Sequence, residues 1–99
     1  MSRNVYRYVF DRNVSVQAAE ELLVLAILAA ECLHGQSDTR LDASYRFSRD
    51  GRACVIDATT DVGRDVARIF TGLAIREFGE DAFKVERLEP AARAKEVQK

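Results

Sequence analysis

Residues 41–58 read LDASYRFSRDGRACVIDA, and this stretch decides the fold. Leu41, Ala43, Tyr45 and Phe47 alternate with Asp42, Ser44 and Arg46. Successive side chains of an extended chain point to opposite faces, so the pattern predicts a strand with one face buried. Asp50 and Gly51 both tolerate positive φ and predict a tight hairpin. The returning strand, residues 52–58, places Cys54, Ile56 and Ala58 on the same buried face.

Outward from the hairpin the chain is helical on both sides. Downstream, Thr59, Thr60 or Asp61 can cap a helix that closes at Phe78-Gly79. Upstream, Ser15 is the predicted cap of a helix running to His34, with Gly35 as its stop and a polar connection over residues 36–39. The outermost elements are again strands: VYRYVF at residues 5–10, ended by Asp11-Arg12-Asn13, and residues 83–88, ended by Pro90. Laying Asp11 on Asp57 aligns Val9 with Val55, Ser15 with Asp61, Val16 with Val62 and Glu31 with Glu77, so each half reads strand, capped helix, strand.

The expected fold is therefore α+β: a βαββαβ two-layer sandwich. Right-handed crossovers and the central hairpin give a four-stranded antiparallel sheet of order 4-1-3-2, with two helices on one face. This pattern resembles the ferredoxin-like superfold, which implies no function by itself. One domain over residues 1–90 is expected, followed by a charged, frayed tail at 91–99.

Composition narrows the function classes. Fifteen basic and sixteen acidic residues leave a net charge of −1, against a dedicated nucleic-acid or membrane-surface binder. The apolar run LLVLAILAA at residues 22–30 is far shorter than the roughly 20 residues of a membrane span. Two cysteines without a CxxC pair, one histidine and a first segment unlike a signal peptide point to a reduced, cytoplasmic protein with no metal or cofactor signature. Cys32 and Cys54 read as core residues, and His34 as a complement to the helix dipole.

The sheet faces separate cleanly. Tyr6, Tyr8, Phe10, Leu41, Ala43, Tyr45, Phe47, Cys54, Ile56, Ala58, Phe83 and Val85 form the apolar set expected under the helices. The opposite set is open and mixed in charge, with Arg7, Arg40, Arg46 and Lys84 among Asp42, Asp57 and Glu86 around a Val5–Val9–Val55 centre.

Three functional readings follow. The leading one is a non-catalytic, self-associating module, a homodimer through its helical layer. A helix on a sheet needs one apolar stripe, and Leu22, Leu25, Ala26, Ala29 and Leu33 supply it. Leu23, Val24, Ile27 and Leu28 are then left over among Glu20, Glu21 and Glu31. In the second helix Val66, Ile69, Phe70 and Leu73 are expected inward, leaving Arg64, Arg68, Thr71 and Ile75 outward. The expected interface is thus Val24, Ile27, Leu28, Glu31, Arg64, Arg68 and Ile75.

The alternative is a small-anion or nucleic-acid binder using Arg7, Arg40, Arg46 and Lys84. It resembles the RNA-recognition motif in topology but lacks that family's exposed aromatics on the first and third strands. Thr59-Thr60-Asp61-Val62-Gly63-Arg64 would be an anion site at a helix start, although Asp61 itself occupies the position. The third reading is a metal-dependent enzyme with Asp11 and Asp50 at one sheet edge, similar to polymerase palm domains and nucleotide cyclases, but short of their phosphate-binding elements.

Overall fold

The computed structural model of the chain describes residues 4–88; the expected tail at 91–99 lies outside them. The elements run β1 (Val5–Phe10), α1 (Val16–His34), α2 (Gln36–Asp42), β2 (Ser44–Ser48), β3 (Ala53–Asp57), α3 (Asp61–Phe78), a 3-10 turn (Glu80–Ala82) and β4 (Phe83–Leu88). The four strands form one antiparallel sheet in the order β2-β3-β1-β4, which read from the β4 edge is 4-1-3-2.

The long helices begin and end as their caps dictate. Ser15 Oγ accepts the Ala18 N–H at 3.2 Å, and Thr60 Oγ1 accepts the Gly63 N–H at 3.0 Å. Each hydroxyl satisfies an amide that the first turn leaves without a partner. At the other ends Gly35 (φ 89°) and Gly79 (φ 94°) take positive φ, open to glycine for want of a Cβ, and their N–H groups donate to Glu31 O and Ile75 O.

Two connections differ from expectation. The first concerns residues 36–42, expected as a connection followed by the start of a strand. They form α2. The Thr39 hydroxyl donates to Gly35 O at 2.8 Å, and Ala43 N–H to Thr39 O at 2.9 Å, so a fresh helical turn starts at the reversal Gly35 makes. Leu41 is consequently 82% exposed on α2 and does not belong to the sheet core. The second concerns the hairpin. The connection is the four residues 49–52, and it is Arg52, with φ 51°, that takes positive φ. Gly51 N–H donates to Ser48 Oγ at 3.0 Å, so the Ser48 side chain closes the turn.

The core lies between the sheet and α1 and α3. Tyr8, Phe10, Cys54, Ile56 and Phe83 meet Leu22, Leu23, Val66 and Phe70. Tyr8 packs edge-on to Phe70 at a centroid distance of 5.0 Å, and its hydroxyl reaches Thr71 Oγ1 at 2.7 Å. Burial pushes the Tyr8 phenol up; the hydrogen bond to Thr71 opposes this. On the edge strands Tyr45 and Val85, expected inside, are exposed, because α1 and α3 lie over the inner strands.

The side of α1 that meets the sheet differs from the expected stripe. Ala19, Leu22, Leu23, Ala26 and Ala30 are buried, while Leu25 and Leu33 are exposed. α1 approaches α3 more closely than it approaches any strand, and small side chains such as Ala19, Ala26 and Ala30 are what short interhelical distances require. Cys32, expected inside, is exposed, whereas Cys54 is buried, and burial pushes its thiol up to about 12.

Candidate functional site

The strongest unexplained feature is the outward side of α1. At 100° per residue, Gln17, Glu21, Val24, Leu25, Leu28 and Cys32 share the side opposite the buried alanines. Val24, Leu25 and Leu28 are 52%, 52% and 50% exposed, one contiguous apolar stripe in the middle of the helix. Solvent-facing helix surfaces are ordinarily polar, so this stripe departs from the pattern of a monomer surface.

The other expected interface residues divide. Ile27 is half-buried and packs against the core; Glu31 is half-buried beside it. Both line a depression of about 300 Å³ with Thr39, Arg40, Ala43 and Tyr45. On α3, Ile75 is 41% exposed and Arg68 is exposed, while half-buried Arg64 is held by Asp61 on its own helix. Ile69 and Leu73, expected fully inside, are half-buried against the core. Leu25 was missed as an interface residue because all nine residues at 22–30 are apolar, so pattern alone cannot tell the core side from the outer side.

Part of the helical charge is satisfied within the chain. Glu20 Oε1 accepts from Arg49 Nε and Nη2 at 2.9 and 2.6 Å, tying α1 to the hairpin. His34 Nε2 and Asp65 Oδ2 meet at 2.7 Å between α1 and α3. The second contact was not foreseen; His34 is read from sequence as a dipole complement, whereas it is also half of a cross-helix pair.

The open sheet face carries the alternative. Its rows run Ser44–Asp57–Val5–Leu88, Arg46–Val55–Arg7–Glu86 and Ser48–Ala53–Val9–Lys84. Arg7 lies 4.0 Å from Glu86. Arg40, expected on this face, stands on α2 instead, because the strand begins four residues later at Ser44. A depression of about 410 Å³ is lined by Val5, Ser44, Tyr45, Arg46, Val55, Asp57 and Leu88. It places one arginine and one aspartate over an apolar floor, a mixed rim rather than a cationic one.

The start of α3 is consumed by capping. Thr60 Oγ1 also donates to Asp42 O, Thr59 N–H is taken by Asp57 Oδ1, and Asp61 pairs with Arg64. The edge expected to hold Asp11 and Asp50 holds a cation: the Arg52 guanidinium donates to the carbonyls of Asp11 and Val14. The acid sharing a depression with Asp11 is Asp81, and that depression includes Lys84. Among the described residues, no three His, Cys, Asp or Glu side chains come together to hold a metal ion. No described helix is long and apolar enough to cross a membrane. In comparisons with known proteins, no family model, no curated protein and no solved structure matches the chain.

Proposed function

We propose that this protein is a small, non-catalytic, cytoplasmic self-association module of ferredoxin-like architecture, a homodimer that buries its helical layer. The observation that carries the reading is the half-exposed stripe Val24, Leu25 and Leu28 in the centre of α1, with Ile75 exposed on the neighbouring helix. At roughly 25 cal/mol per Å² of apolar surface, covering the exposed half of each such side chain is worth about 1 kcal/mol. A symmetric contact counts each residue twice, so the stripes and the two Ile75 together favour association by about 8 kcal/mol before entropic costs. Association costs at least about 4 kcal/mol, so these four side chains alone leave about 4 kcal/mol or less, and a micromolar dimer also has to bury the surface around them.

The test is the solution mass of the wild type and of Val24→Glu/Leu28→Glu. Both replaced side chains are half-exposed, so the variant is expected to fold. A dimer that becomes a folded monomer supports the reading. A wild-type monomer at tens of micromolar rejects it.

A further inference from the structure

The proposed dimer can be built in two ways. Two helical layers meeting across a two-fold axis stack either like on like, α1 on α1 and α3 on α3, or crosswise, α1 of each subunit on α3 of the other. Resting on the self-association reading above, we infer that the arrangement is crosswise, with the axis running along the helices and Gly72 as the seat for the partner's α1.

Three observations select it. The first is charge. In the like-on-like form α3 meets its own copy antiparallel, and a contact centred on Gly72 brings Arg68 level with the partner's Arg76. Both arginines are exposed, and opposed like charges at an interface are costly. In the crosswise form the same arginines meet α1, whose flanks carry Glu21 and Glu31.

The second is level. α1 follows β1 and α3 follows β3, and these strands are antiparallel, so the two helices run in opposite directions. His34 and Asp65, in contact, fix their relative height. Counting inward from that pair, Arg68 lies level with Glu31, Gly72 with Ile27 and Ile75 with Val24. An axis along the helices preserves height, so these same levels apply between subunits. Arg68 then stands opposite the partner's Glu31, and Ile75 opposite the partner's Val24. Gly72 falls between the levels of the partner's Leu25 and the partner's Leu28.

The third is Gly72 itself. It lies in the interior of α3, is exposed, and a Cβ built there meets nothing within 4 Å. An interior helical glycine costs about 1 kcal/mol relative to alanine. Nothing within the subunit requires it there, whereas a large side chain arriving from a second helix does. Gly72, between Arg68 and Ile75, is a flat notch matched to the leucines of α1.

The experiment is sedimentation of the full chain, with circular dichroism to confirm folding of every variant. Arg68→Glu and Glu31→Arg should each weaken the dimer about tenfold or more, since the contact occurs twice. The double variant Arg68→Glu/Glu31→Arg should recover most of the loss. Gly72→Leu should dissociate the dimer without unfolding the monomer. A dimer unchanged or tightened by Arg68→Glu, a double variant without recovery, or a Gly72→Leu dimer of wild-type affinity each overturns the crosswise arrangement and leaves self-association standing. A wild-type monomer overturns self-association, and this arrangement with it.

Discussion

His34 Nε2 lies 2.7 Å from Asp65 Oδ2, joining the C-terminal end of α1 to the first turns of α3. Both side chains are less than a third exposed, so the contact is partly shielded from water. A double-mutant cycle with His34→Ala and Asp65→Ala is expected to give a coupling of about 1 kcal/mol in urea unfolding. Strictly additive single effects would show that the two side chains are adjacent without stabilising the helix pair.

Two glycines of α3 are expected to respond in opposite directions. A Cβ on Gly63 would lie 2.0 Å from the backbone oxygen of Asp57, where β3 runs into the helix. Backbone cannot yield as a side-chain tip does, so Gly63→Ala should cost more than about 2 kcal/mol. Gly72→Ala meets open space and should stabilise the fold by about 0.5–1 kcal/mol. Measuring Gly72→Ala in the Val24→Glu/Leu28→Glu background separates folding from association. Equal effects of the two alanines would contradict the close approach of α3 to β3.

The cysteines should separate by reactivity. Cys32 is exposed and Cys54 is buried with its thiol raised to about 12. A thiol reagent at pH 8 should label Cys32 in the monomeric Val24→Glu/Leu28→Glu variant, where the outer side of α1 is uncovered, and Cys54 only after denaturation. The raised thiol also sets a pH dependence. Between the ordinary value of 9.0 and about 12 the unfolded chain releases this proton while the folded chain retains it. Stability should therefore be intact below pH 9 and fall as pH rises toward 12, by up to about 1.4 kcal/mol per unit. Cys54→Ala should remove that part of the decline.

The open face should bind nucleic acid poorly. Its arginines and lysine are interleaved with Asp57 and Glu86, Arg7 lies beside Glu86, and the whole chain carries a net charge of −1. The expected dissociation constant for single-stranded RNA at physiological salt is weaker than about 1 µM, within the non-specific range. Tighter binding that is lost on Arg7→Glu or Arg46→Glu would show a working surface there.

Legibility in the sequence varied with how local the signal was. Ser15, Gly35, Thr60 and Gly79 mark helix ends through their own backbone and hydroxyl chemistry, and the β-branched and aromatic runs at 5–10 and 83–88 mark strands, although Val85 turns out exposed and Val5 buried. Where two structures satisfy one pattern, the reading failed. Leu41 and Ala43 continue the alternation of Tyr45 and Phe47, yet Gly35 allows another helix first. Asp50-Gly51 suits a two-residue turn, yet Ser48 and Arg52 build a longer one. For the candidate surface, the surplus of apolar residues on α1 was legible and its exact side was not. α1 packs closely on α3, and the side of α1 that is buried carries Ala19, Ala26 and Ala30 with Leu23 in and Leu25 out.

The central claim is that the outer side of the helical layer is a contact between copies of this chain. Sedimentation equilibrium of the wild type over a concentration series from about 1 to 100 µM, a span chosen to bracket micromolar association, tests it most directly. The predicted result is a mass rising with concentration from 11.1 kDa toward twice that value. A mass that stays at 11.1 kDa throughout would contradict the account.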